Sequence, residues 1–197
     1  MHRELSTSQA WWAHPAGATW LRASGIILGG SALVAVCAHV ALPLWFTPVP
    51  LTLQPFAVLL LGLLLSPRLA ASTLAFYLAE GALGLPVFAP GPDMVGGMAH
   101  LFGPTGGYLL AYPAAAALIS LLWRRSPRGF AWALASAAAG DLLILFCGAA
   151  WLAAMVHVPA RTALPLAVVP FLPGEVLKVA LAAAITTGFQ RLRHRIS

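Results

Sequence analysis

The sequence predicts an all-α membrane protein of six transmembrane helices with both termini cytoplasmic. Three observations point there. Of 197 residues, 60% are hydrophobic and only 8% charged, and mean hydropathy is +0.88, whereas a soluble domain carries roughly a quarter charged residues. The apolar residues come in several long runs, which indicates helices rather than a barrel. The basic residues alternate in side. Arg3, Arg22, Arg68, Arg124, Arg125, Arg128, Arg191, Arg193 and Arg195 fall on one side of a six-helix arrangement, and only Arg161 on the other. Basic connections mark the cytoplasmic face. Five or seven spans would break this alternation. It also accounts for the net charge of +6 without any need for a nucleic acid partner.

Residues 1–21 form an N-terminal interfacial arm, ahead of a six-helix domain over 22–197. The arm mixes His2, Arg3 and Glu4 with Trp11, Trp12 and Trp20, and tryptophan favours the membrane–water interface. It lacks the pattern of a cleavable signal. The first helix is expected from Ser24 to Trp45. Gly25 and Gly29 stand four residues apart on it, a spacing that lets another helix approach closely. That approach serves either packing within the chain or docking to a partner. His39 reads as a packed or interfacial side chain. Cys37 and Cys147 lie inside apolar runs and read as packed thiols.

Pro43, Pro48, Pro50 and Pro55 cluster around Val49-Pro-Leu-Thr-Leu-Gln54 and predict a structured loop. Thr52 and Gln54 are its polar side chains. The second helix, Pro55 to Ser66, is short against the ~20 residues of a full span. Pro67 and Arg68 mark a turn. The third helix, Leu69 to Gly84, carries Tyr77 and Glu80. The long connection from Leu85 to Phe102 is rich in Gly and Pro yet retains apolar residues, so it should pack as a cover. Gly103-Pro-Thr-Gly-Gly-Tyr108 opens the fourth helix, which ends near Trp123. The fifth, Phe130 to Met155, places Asp141 near mid-membrane. A less regular stretch, His157 to Pro170, precedes the sixth helix, which runs to about Gln190.

Pro170-Phe-Leu-Pro-Gly-Glu-Val-Leu-Lys178 opens that last helix. A charge at membrane depth is costly, so Glu175 and Lys178 should face a cavity or a partner. Three residues apart, they share one helix face. The helix start adds partial positive charge and free N–H groups. Together with the Lys178 ammonium, it suits a carboxylate or an amide. The alternative is a structural ion pair, although such pairs seldom add stability over apolar packing.

These motifs resemble the BioY family, the biotin-binding S components of energy-coupling factor (ECF) transporters. The matching pieces are Pro48-Val-Pro-Leu-Thr-Leu-Gln54, Gly84-Leu-Pro-Val-Phe88, Gly103-Pro-Thr-Gly-Gly-Tyr108 and Pro170 to Lys178. They stand in the family's order, from about Ser24 to the C-terminus. The family commonly has Asp where Glu175 stands, and Gly around the turn that holds Ser66 and Ala70 here. The resemblance implies the ECF S-component fold, with biotin held near the outer face of the inner (cytoplasmic) membrane. It also implies a transmembrane coupling protein and two ATPase subunits as partners.

Biotin offers a carboxylate, an apolar bicycle and a ureido group with two donors and one acceptor. Lys178 suits its acidic or amide group. Glu175 can accept from a ureido N–H or tether Lys178. Gln54 and Thr52 can reach the ureido edge or else brace their loop. Tyr77 and Tyr108 can stack on the bicycle and offer a hydroxyl. Phe88 reads as a wall or cover anchor. Gly106 allows close backbone approach. Asp141 and Trp151 serve either the ligand or packing.

No Gly-x-x-x-x-Gly-Lys-Ser/Thr loop is present, so an ATP-driven engine would come from partners. No cofactor and no metal site are expected. Two other classes stay open: an S component for a different anionic vitamin, and an intramembrane enzyme using Glu175, Asp141 or His39. Against catalysis, the polar residues form no evident nucleophile–base–orienter set. A structural scaffold is a further, weaker reading.

Overall fold

The computed structural model describes residues 16–90, 96–157 and 159–196. Trp11, Trp12 and most of the expected arm therefore lie outside the described residues. The chain is an all-α membrane protein. Its helices are α1 (Ala16–His39), α2 (Gln54–Leu64), α3 (Pro67–Ala82), α4 (Met98–Leu101), α5 (Gly106–Arg125), α6 (Phe130–Val156), α7 (Ala160–Ala167) and α8 (Leu172–Ile196). Among the described residues, four stretches are long and apolar enough to cross a membrane: Trp20–His39, Gly106–Arg125, Phe130–Val156 and Leu172–Leu192.

The helix at the centre is α5, packed against α2, α3 and α6. Against this group lie α8, on α2 and α6, and α1, on α3 and α2. The packing inverts the pattern of a soluble bundle. On α6, Ala133, Ser136, Ala137, Gly140 and Gly148 face inward, while Leu142 and Phe146 are exposed. Lipid is as apolar as leucine, so helices associate through close contact of small residues. Gly148 shows how close. A Cβ there would lie 2.2 Å from Cε1 of Tyr108. Gly148→Ala should therefore cost about 1–3 kcal/mol of overpacking. A melting temperature in detergent equal to that of the unaltered protein would contradict this reading.

Several element boundaries differ from the sequence reading. The first helix begins at Ala16, inside the expected arm, and stops at His39 instead of Trp45. The chain then turns back as an antiparallel ribbon of β1 (Ala41–Leu42) and β2 (Leu51–Thr52), pairing Ala41 with Thr52 and Leu42 with Leu51. Pro43, Pro48 and Pro50 lack the N–H that a continuing helix needs. The stretch after α6 is more regular than expected. His157 adopts a left-handed conformation (φ 56°) that ends α6, and α7 starts after Pro159. The last helix continues past Gln190 to Ile196. The apolar run ends near Gln190, but no glycine or proline follows it to break the helix.

Side chains tie the outer connections down. Thr47 Oγ1 donates to the Leu166 carbonyl (2.9 Å), which joins the ribbon to α7. The Tyr108 hydroxyl donates to the Ala167 carbonyl (2.5 Å). Tyr77 donates to the Val87 carbonyl (2.9 Å) and holds the connection after α3.

Candidate functional site

A cavity with about 530 Å³ of empty space lies between the ribbon, the connection after α3 and helices α5, α6 and α8. Val49, Pro50, Thr52, Gln54 and Pro55 form its first wall. Ala89 and His100 come from the connection after α3. The α5 wall is Thr105, Tyr108, Leu109 and Tyr112. From α6 come Asp141, Ile144 and Leu145, and from the α8 side Phe171 and Glu175.

The polar centre is on α6 and α8. Glu175 is 4% exposed, Lys178 7% and Asp141 5%. Lys178 Nζ lies 2.7 Å from Glu175 Oε1. The three-residue spacing on α8 brings them together, since residues so spaced share a face. Lys178 is not among the lining residues and meets the cavity through Glu175. The Asp141 carboxyl is close to Glu175. Asp141 Oδ1 and Glu175 Oε2 are buried and have no hydrogen-bond donor. A buried, unpaired acceptor costs about 1–3 kcal/mol, and more when charged. Such a site is built to receive donors.

The apolar part is aromatic. Tyr108 and Phe171 meet edge to face at 6.4 Å, and Tyr112 stands one turn further along α5, nearly fully buried. The Tyr108 hydroxyl is committed to the Ala167 carbonyl, so Tyr108 offers the cavity its ring.

Gln54 and Thr52 both line the cavity and are bonded to each other. Thr52 Oγ1 donates to Gln54 Oε1 (3.3 Å), and Gln54 Nε2 donates to the Tyr77 hydroxyl (2.5 Å). Tyr77 is fully buried behind this wall, not in it. Phe88 is also behind. Its ring meets Tyr77 edge to face at 5.5 Å, lies over His100 at 4.8 Å, and occupies the space where Gly81 has no Cβ. It anchors the cover, and Ala89 and His100 face the cavity beside it.

Trp151 and Gly106 are not lining residues. Trp151 Nε1 donates to the Gly103 carbonyl (2.9 Å), and a Cβ on Gly106 would meet the Leu101 carbonyl oxygen at 2.0 Å. Both shape the turn into α5. Gly25 and Gly29 are exposed on α1, with nothing within 4 Å of a Cβ at either.

Tyr112, Phe171, Thr105 and His100 were not singled out from the sequence. Tyr112 carried a signal, because it follows Tyr108 by four residues and so shares its helix face. Thr105 sits inside the Gly103 to Tyr108 motif. For His100 no local signal exists, since chain folding alone brings it to the cavity.

Comparison with known proteins gives a consistent result. The family model described as "BioY family" matches residues 8–195. A probable biotin transporter BioY of Pyrococcus horikoshii is 40% identical over 159 residues, 81% of this chain and 90% of the relative. A biotin transporter BioY of Thermotoga maritima is 39% identical over 162 residues, 82% of this chain and 92% of the relative. The fold is similar to the crystal structure of the S-component for biotin from an ECF-type ABC transporter. That likeness has a TM-score of 0.80 at 25% identity and covers 90% of this chain and 95% of the other.

Proposed function

This chain belongs to the BioY family, and we propose on that premise that it captures biotin in the cavity beneath its outer connections. It is a multi-pass protein of the cell membrane and a substrate-binding uptake subunit, not an enzyme.

One observation carries the placement of the ligand. Asp141 and Glu175 line the cavity, and each keeps a buried oxygen without a donor. A ureido group presents two N–H donors, and two fixed acceptors match it. A hydrogen bond to a charged acceptor such as Glu175 contributes about 1.5–3 kcal/mol. Lys178 offsets the charge of Glu175 and orients it. The bicycle then packs on Tyr108, Tyr112 and Phe171, with Gln54 and Thr52 at its edge. Tyr77 and Phe88 act from behind, by holding Gln54 and the cover.

The reading includes six spans over 22–197, with α2 and α3 as the two shorter ones and both termini cytoplasmic. Arg22, Arg68, Arg124, Arg125, Arg128 and Arg191 support it, all exposed near helix ends on one side of the alternation. A transmembrane coupling protein and two ATPases supply the energy. The open face of α1 at Gly25 and Gly29 suits the approach of such a partner.

Titration of biotin into the detergent-purified chain tests the ligand. Saturable binding, displaced by desthiobiotin but not by an anionic vitamin that lacks a ureido group, is the expected result. Displacement by the other vitamin alone would assign the cavity to that compound.

A further inference from the structure

The ribbon of β1 and β2 ends in a tip that the chain itself does not cover. Trp45 is 96% exposed, Leu42 59% and Phe46 41%. The Trp45 and Phe46 rings meet edge to face at 5.4 Å, between the exposed Pro43 and Pro48. From Ala23 to Pro67 the sequence has no Asp, Glu, Lys or Arg, so no charge holds this tip in water. An exposed apolar patch marks an interaction surface.

The tip stands at the edge of the lipid. The crossing stretch Trp20–His39 has 20 residues, about 30 Å of helix at 1.5 Å per residue, which matches the hydrocarbon core. The ribbon starts just beyond it, at Ala41. Leu33 and Val36 on α1 are exposed, and the exposure of apolar residues goes on through Val40 and Leu42 to Trp45. The surface that α1 turns to lipid therefore continues into the ribbon. At the other end of the span, Trp20 is 73% exposed. Exposed tryptophans thus bracket the span, at depths where the ring meets acyl chains and its N–H meets headgroups.

We infer that Trp45 and Phe46 insert between the lipids of the leaflet on the cavity side and anchor the ribbon there. The anchor reaches the cavity because the same ribbon is one of its walls. Val49, Pro50 and Thr52 line the cavity, and Leu51 lies beside Gly174 at the start of α8. Within the chain, Thr47 ties the ribbon to the Leu166 carbonyl, and Leu53 N–H donates to the Val40 carbonyl (3.1 Å). The bilayer holds the tip from outside. The lipid contact is independent of the ligand, whereas its effect on ligand retention rests on the biotin reading.

The test uses the purified full chain in phosphatidylcholine nanodiscs, without ligand. Subtracting the tryptophan emission of Trp45→Phe from that of the unaltered chain isolates the Trp45 contribution. Bromine near the carbonyl end of the acyl chains should quench that contribution about twofold or more, and aqueous iodide should leave it nearly unchanged. Quenching by iodide with none by brominated lipid overturns the insertion. Protection from both quenchers marks a protein partner or a second copy and overturns it as well. Biotin dissociation from the same discs is the second readout. Trp45→Ser combined with Phe46→Ser should release biotin about tenfold faster. Trp45→Tyr keeps an interfacial aromatic and should stay within about threefold of the unaltered chain. Equal rates in all three proteins overturn the hold on the cavity wall and leave the biotin reading intact. Unaltered discs that bind no biotin overturn the biotin reading, and the quenching then decides the lipid contact by itself.

Discussion

Lys178→Met should destabilise the folded protein by about 3–5 kcal/mol, the cost of leaving one partner of a buried ion pair alone. The sequence holds no other lysine. Its ammonium lies 2.7 Å from Glu175 Oε1, and Asp141 adds a second carboxyl next to Glu175. Without the cation, two carboxyl groups face each other in a low-dielectric interior, where water cannot screen them. A lower melting temperature and a poor yield of monodisperse protein are expected. Glu175→Gln combined with Lys178→Met replaces the pair by neutral groups and should recover folding, because a buried pair adds little net stability. That double variant should still bind biotin at least ~100-fold more weakly, since the charged acceptor is gone. A Lys178→Met protein that melts and binds like the original would remove the ion pair from both roles.

Asp141→Asn should separate stability from binding in the opposite sense. The change removes one of two acid groups crowded together, and the new amide N–H can donate to the unpartnered Glu175 Oε2. The empty protein should thus melt at the same temperature or a few degrees higher. Biotin affinity should fall about 100-fold, roughly 3 kcal/mol, because the amide N–H then occupies Glu175 Oε2, an acceptor otherwise left for the ligand. Sites built for ligands often carry such a strain in the empty state. Loss of stability together with affinity would mark Asp141 as a packing node, and unchanged affinity would take it out of the site.

The site was only partly legible beforehand. Glu175, Lys178 and Asp141 stood out because a charge in an apolar run needs a reason, and membrane physics allows few. Thr52 and Gln54 stood out through the proline cluster around them. The tyrosines show where such reading stops. Their rings and hydroxyls were equally available for a ligand on paper. In the fold the Tyr77 hydroxyl is spent on Gln54 and Val87, and that of Tyr108 on Ala167. Trp151 likewise serves Gly103. Which partner a side chain finds depends on residues far away in the chain, and no local pattern encodes it.

Helix boundaries followed the same division. Runs of apolar residues marked where chain crosses lipid, because backbone groups in hydrocarbon must bond within a helix. They did not mark where helices end. The last helix outlives its apolar run by several residues to Ile196, and α7 forms in a stretch that reads as irregular. Polarity ends a membrane segment, whereas a helix ends at a steric break such as the left-handed His157.

By itself, then, the amino-acid order settled membrane residence and the family, together with the few charges that lipid would not tolerate. Those follow from transfer free energies and motif spacing, which are local properties. Tertiary structure alone decided that Lys178 stands behind Glu175 and that Tyr112, Phe171 and His100 join the cavity. These depend on contacts between α5, α6, α8 and the outer connections, set by the close packing of glycine and alanine faces across the bundle.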